Sequence, residues 1–359
     1  MKKILFWSAL ILILVTNYKL VPMILEDTLH ISAVGYDLAE DDQLKATASV
    51  PFFPPGEDVT PMDVTFTTSG NTSSNVKQLF QTEAQKPLSA GRLNDILYSK
   101  DLAKKGIFHL VKPFSRDPNI GRGIHLAIVT SSTEELLTFK FPNAVLTSRY
   151  LSDLMDHGLK DIIPVTNLHS FLSQYYGEGQ DPFLPLLNLR KKHIQLKGLA
   201  LFKDDRYVGS LSYKDSYLFK LLYEKSSNGT YNVKLDSGKY MAIENVSSKV
   251  KYHITGTKEE PKITIEISLL GQIIDASGIS LKKPNDVKNL EDQWTEKVTQ
   301  QSEDVVKKLQ KLQIDPLGIG EKVRSKHRNF NMKQWHEQYP ETPINVKINV
   351  EIMDTGIVE

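Results

Sequence analysis

Cysteine is absent from all 359 residues, which removes disulfides, thiolate nucleophiles and cysteine-ligated metals together. An excess of either charge is missing too, since 44 Lys and Arg stand against 43 Asp and Glu. No global field therefore draws the chain to nucleic acid or to an anionic surface. The patterns His-Glu-x-x-His, Gly-x-Ser-x-Gly and the phosphate-binding loop do not occur, so zinc peptidases, elbow hydrolases and nucleotide enzymes lose their usual sequence warrant. The histidines are scattered, and none is paired at the three- or four-residue spacing that puts two metal ligands on one helical face. Calcium-loop spacing is missing as well. No catalytic residue, cofactor or metal ligand is indicated.

Long apolar runs are also scarce. One occurs, "ILFWSALILILVT", directly after Lys2 and Lys3. This is the charged and apolar order of an export signal. The run is shorter than the roughly 20 residues that span a bilayer comfortably, and no small-x-small cleavage site follows it. Residues 1–25 are read as a signal retained as a hydrophobic anchor, which places the rest of the chain outside the cytoplasm.

With 40% apolar and 24% charged residues, the remainder has a globular composition. "LHISAVGYDL" and "QLKATASVPF" flank an acidic turn and predict a hairpin. "NVKQLFQTEAQ" predicts a short helix, "RLNDILYS" a strand, "KDLAKKGIFHLV" a helix and "GIHLAIVT" a strand. In "SSTEELL", Ser131 and Ser132 precede Glu134 and Glu135 by three residues, the spacing of a capping box. Strand and helix in this order predict an N-terminal α/β domain over residues 26–185, closed by the linker "YGEGQDPFLP".

A C-terminal α+β region is predicted over 190–359, with a further division near 235. It opens with the extended pair "HIQLKGLALFKDDRYVGSLS" and continues through strands at "KYMAIENV", "VKYHITG" and "KITIEISL". A long helix follows. Asp286 can cap it, and Val287, Leu290, Trp294, Val298, Val305, Leu309 and Leu312 form one apolar stripe. Glu303–Lys307 and Asp304–Lys308 are spaced to pair on its wet face. The last segment, "INVKINVEI", alternates throughout and is expected to join the earlier hairpin in a sheet that buries the helix stripe. The fold class is thus α+β (mixed α/β) and multi-domain, an α/β domain followed by a sheet packed on a long helix.

"QIDPLGIGEKVRSKHRNFNMKQW" holds the most pointed local chemistry. Asp315 before Pro316 reads as a helix N-cap with a first-turn proline. Gly318 and Gly320 would cost that helix about 1 kcal/mol each relative to alanine, so close backbone approach is the expected compensation. Arg324 and Trp335 are expected to lock the corner, by a charge-assisted bond and a large apolar plug. "KVRSKHR" is the densest basic stretch and reads as a solvated helix face.

This tail, with Gly356 after the alternating strand, resembles the C-terminal signature of the Ger(x)C family, the C subunit of bacterial spore nutrient germinant receptors. "KGLALFKDDRYVGSLS" is similar to the family's Gly-x-Ala-x-Phe-Lys strand pair. "LYSKDLAKKGI" before Arg116, Asp117 and Pro118, and "LHISAVGYDL", resemble its earlier segments, so the likeness runs from about Glu26 to Gly356. Asp315, Pro316, Gly318, Gly320, Arg324, Trp335 and Gly356 form the structural signature, and no catalytic or ligand residue transfers with them. The resemblance implies a non-enzymatic, membrane-attached subunit on the extracytoplasmic face of the spore inner membrane. It implies partnership with polytopic A-type and B-type receptor subunits, and no nucleic acid. Family members carry a lipid-modified cysteine after the apolar run; without one, the apolar leader itself must tether this chain.

Two further function classes are weighed. An exported solute-binding protein that captures a small nutrient directly would need a polar and aromatic cleft near Tyr175, Tyr176 and Phe183. A cell-wall hydrolase would need paired carboxylates or a metal cluster. Whether a small-molecule ligand binds is left open by the sequence.

Overall fold

The computed structural model describes residues 27–54, 59–142, 146–276 and 284–353, together with Lys3 and Trp7. The anchor read at residues 1–25 and the signature residue Gly356 lie outside the described residues, Lys3 and Trp7 excepted. Among the described residues, no helix is long and apolar enough to cross a membrane.

After the two-residue strand β1 (Leu29–His30), β2 (Ala33–Leu38) and β3 (Leu44–Phe52) form the expected antiparallel hairpin. Its turn is acidic because Asp41 and Asp42 take positive φ, 57° and 60°, a backbone that short polar side chains tolerate. β4 (Met62–Gly70) continues the meander, and α1 (Ser73–Glu83) starts where the Thr72 hydroxyl accepts the Asn75 N–H. β5 (Leu88–Ser89) pairs with β1, and β6 (Asp95–Ser99) lies parallel to β2.

One helix was expected from Lys100, but the chain forms two, α2 (Lys100–Lys105) and α3 (Phe108–Arg116). Gly106 separates them at φ 109°, and the Asp205 carboxylate accepts the Phe108 N–H at 2.9 Å. β7 (His125–Val129), α4 (Thr133–Thr138), α5 (Thr147–Asp161) and α6 (Leu168–Tyr176) follow. Ser132 caps α4 through the Glu135 N–H, as its spacing predicts. Asp37, reaching across from β2, adds a second cap: its carboxylate accepts the N–H groups of Thr133 and Glu134 at 2.9 and 3.0 Å.

β8 (Phe183–Arg190), β9 (His193–Lys203) and β10 (Arg206–Ser212) complete an eight-stranded sheet of order β10-β9-β8-β7-β6-β2-β3-β4. The pair read from sequence as opening the second region therefore pairs into the first sheet. Local alternation specifies a strand but not its neighbour, and β8, which is parallel to β7, carries β9 and β10 with it.

α7 (Tyr213–Tyr223) leads to a second sheet, β11 (Thr230–Lys234), β12 (Tyr240–Gly256), β13 (Pro261–Asp275) and, last in the chain, β14 (Ile344–Ile352). The two segments read as separate strands between Tyr240 and Gly256 are one strand with an irregularity between Asn245 and Ser247. β14 joins β13 in parallel register, as the final alternating segment predicts. Between them run α8 (Pro284–Lys311), α9 (Ile319–Lys326) and α10 (Met332–Gln338). Asp286 sits in the first turn of α8 and not at its cap. The predicted stripe is buried at Leu290, Trp294, Val298, Val305 and Leu309. On the wet face Lys308 turns to Asp215 of α7, at 4.0 Å, and Asp304 accepts from the Gln300 amide.

The pleat divides the core. Val34, Tyr36, Ile96, Tyr98, Leu126 and Ile128 face the α1 and α3 side of the first sheet. Ala33, Leu97, Ala127 and Val129 face the other side, in a core shared with Ile263, Ile265 and Ile267 of β13 and with the α8 stripe.

Candidate functional site: the linker corner

The linker "GEGQD", residues 177–181, runs against the start of α9 and the end of α10, where several of its polar groups find partners. The Glu178 carbonyl is 2.9 Å from His336 Nε2. The Gly179 N–H donates to Glu321 Oε1 at 3.2 Å, and a Cβ at Gly179 would stand 2.6 Å from the Glu321 nitrogen. Only glycine permits that approach. Gln180 Nε2 donates to the Pro316 carbonyl at 3.1 Å.

Two aspartates close the corner reciprocally. The Asp181 N–H donates to the Asp315 carbonyl at 3.1 Å, and the Asp315 N–H donates to Asp181 Oδ2 at 2.7 Å. Asp315 Oδ1 and Oδ2 accept the N–H groups of Ile319 and Gly320 at 3.0 and 2.7 Å. Asp315 therefore caps a helix, but one that begins at Ile319 and not at Pro316. The extra residues let Gly318 take φ 65° as the backbone N-cap. Gly320 faces Trp335, whose Nε1 would lie 2.5 Å from a Cβ at that position. Trp335 is fully buried between Phe330 and Tyr339, with ring centroids at 5.9 and 5.5 Å. Arg324 stays on the surface and binds Glu321 Oε2 at 2.6 Å, the carboxylate whose other oxygen holds Gly179.

Burial sets the electrostatics of this corner. It pushes Asp315 up to about 7, against the lowering pull of its two backbone bonds, with Asp181 adding to the rise and Lys322 opposing it. Asp181 is raised for the same reason, opposed chiefly by Lys203 at 3.6 Å. Lys322 is lowered by burial. It donates to the Leu317 carbonyl at 2.7 Å and lies 4.4 Å over the Tyr252 ring, so the first cation of the basic stretch points inward. Both oxygens of Asp181, Asp315 and Glu321 accept from the chain or face a cation. The arrangement joins two parts of the chain.

Tyr175 and Tyr176, just before the linker, do not line a cleft with Phe183. Phe183 is buried against Phe219 and Tyr223. Phe108 stacks on Tyr175 at 3.9 Å and meets Tyr176 edge-on at 5.6 Å, leaving Tyr176 65% exposed as a surface aromatic cluster.

A second polar cluster escaped the sequence, because its members come from three elements. His125 Nδ1 is 3.1 Å from Asp95 Oδ1 and Nε2 is 3.4 Å from Asp156 Oδ1, while Ser152 Oγ donates to Asp95 Oδ2 at 2.5 Å. The serine addresses the aspartate and not the imidazole, so this is no nucleophile and base pair. Burial opposes the charged imidazole, but the Asp95 bond and the charges of Asp95 and Asp156 outweigh it and raise the His125 pKa. A raised histidine contributes stability that is complete below its ordinary value, about 6.5, and is lost as pH rises through the folded value. His125→Gln is expected to cost about 1 kcal/mol near pH 5.5 and much less near pH 8.5, read from urea unfolding at both.

Comparison with known proteins defines the class first. Residues 22–189 match the spore germination protein N-terminal domain, and residues 197–356 match the C-terminal domain described as spore germination B3/GerAC like. The chain belongs to the Ger(x)C family, the C subunits of germinant receptors. It is 27% identical over 341 residues to spore germination protein GerQC of Bacillus cereus, covering 94% of each chain. The crystal structure of the GerBC protein shares its fold, with a TM-score of 0.62 at 18% identity over 89% of this chain and 97% of that one.

Proposed function

We propose that this chain is a non-enzymatic receptor subunit held at the extracytoplasmic face of the spore inner membrane. It takes part in nutrient-triggered germination by contact with polytopic A-type and B-type subunits. The observation that carries this reading is the tandem of spore germination domains from residue 22 to 356. The linker corner supports it, since the carboxylates of Asp181, Asp315 and Glu321 are engaged by backbone N–H groups and cations. The surface cluster in which exposed Tyr176 packs on half-buried Phe108 and Tyr175 supports it too, because aromatic side chains are enriched at protein interfaces. The signature residues Asp315, Pro316, Gly318, Gly320, Arg324 and Trp335 act as scaffold, and residues 1–25 tether the chain. A boundary near 185–190 divides the two units by sequence.

Fractionation of spores tests the tether. The protein is expected to stay with membranes through high-salt washing and to leave only with detergent, because an inserted apolar segment is indifferent to screening. Release by salt overturns the anchor. Purification from detergent extracts tests the receptor reading separately: the polytopic subunits are expected to accompany the chain, and their absence counts against it.

A further inference from the structure

On the α1 and α3 side of the first sheet lies a cavity of about 210 Å³, walled by Val34, Tyr36, Val76, Phe80, Leu93 and Phe114. Tyr36 is 6% exposed, yet no described residue hydrogen-bonds its hydroxyl. Tyr98 lies behind the lining, with its ring stacked on Tyr36 at 5.8 Å, and its buried hydroxyl is without a partner among the described residues. Buried polar groups are rarely left unpaired, and the cavity that Tyr36 lines has room for a further partner. The void is many times the roughly 10–15 Å³ that admits one water, enough for the body of a small organic molecule.

The cavity also carries a charge preference. Lys77 of α1 lines it and is exposed, and no described residue forms an ion pair with it. Ser73 and Ser74, in the first turn of the same helix, line it too. There the helix dipole favours negative charge. The carboxylate in the lining, Asp117, accepts the Asn119 N–H and side-chain amide at 3.0 and 3.1 Å, both through Oδ1.

We propose that this cavity binds a small aliphatic carboxylate, whose apolar body lies among Val76, Phe80 and Phe114 and whose anionic head meets Lys77 and the Tyr36 hydroxyl. Apolar walls with a few convergent polar groups are the general form of a small-molecule site. The inference is independent of the receptor reading, because neither the linker corner nor the leader contributes a residue.

Calorimetric titration of the full chain in detergent with 4-methylpentanoate tests it, with 4-methylpentan-1-ol as the uncharged comparison. Saturable binding of the acid is expected. Lys77→Gln should weaken it about tenfold, the equivalent of about 1.4 kcal/mol, and Tyr36→Phe should weaken it less. Val76→Trp fills the void and should abolish binding. Lys77 is exposed, so its variant carries the test if Val76→Trp does not fold. Failure of the acid to saturate, equal affinity for the alcohol, or undiminished binding in Lys77→Gln each overturns the proposal.

Discussion

Trp335→Ala is expected to lower the unfolding free energy by about 4 kcal/mol, the usual cost of emptying a fully buried tryptophan site. The site cannot collapse easily. Its neighbours are the rings of Phe330 and Tyr339 and the backbone of Gly320, and Gly320 is fixed by the Asp315 cap. Trp335→Phe should cost less, because the indole Nε1 is buried without a hydrogen-bond partner among the described residues and its removal relieves an unsatisfied donor. Gly320→Ala should destabilise by about 1–3 kcal/mol through overpacking. In Gly320→Ala with Trp335→Ala the added methyl enters vacated space, so the double variant should lose less than the sum of the singles. Urea midpoints at constant m decide each case. Full additivity would show that the glycine and the indole do not share one space.

Asp315→Ala should cost about 3 kcal/mol, because it strands the buried N–H groups of Ile319 and Gly320 at roughly 1–3 kcal/mol apiece. The pH dependence is the more specific test. Burial raises Asp315 from the usual 3.8 to about 7, so in that interval the folded chain keeps a proton that the unfolded chain has released. Its contribution is therefore complete below the unfolded value, declines as pH rises through the interval and is flat above it. Asp181, Lys322, Tyr252 and Tyr339 face the group and share its electrostatics. Asp315→Asn removes this titration at nearly constant shape, and its stability profile should lack the decline. A variant profile parallel to wild type between pH 4 and 7 would assign the dependence to other groups.

Local periodicity made much of the fold legible. Two extended runs around an acidic turn identified β2 and β3, alternation identified β13 and β14, and the stripe from Leu290 to Leu309 identified α8, because these signals arise within short stretches of chain. Partner choice was not legible. The caps that Asp37 and Asp205 supply come from residues some 95 positions away, and β9 gives no local sign that it pairs with β8. In the corner, Asp315, Gly318, Gly320 and Trp335 stood out for their backbone chemistry. Their complement at Gly179, Gln180 and Asp181 looked like ordinary linker, since its meaning lies in contacts about 136 residues distant. The His125 cluster was silent for the same reason.

The sheet that runs through β8, β9 and β10 has an evolutionary and practical consequence. Excising either half at the sequence boundary near residue 190 would tear a ladder in which Phe183 to Arg190 pair with Leu201 to His193. The amino-terminal fragment would then present a bare, mostly buried β8 as an open edge, a template for aggregation. Halves drawn from different relatives would have to match across that seam before they could fold together. The two units are therefore expected to express and recombine only as a single piece.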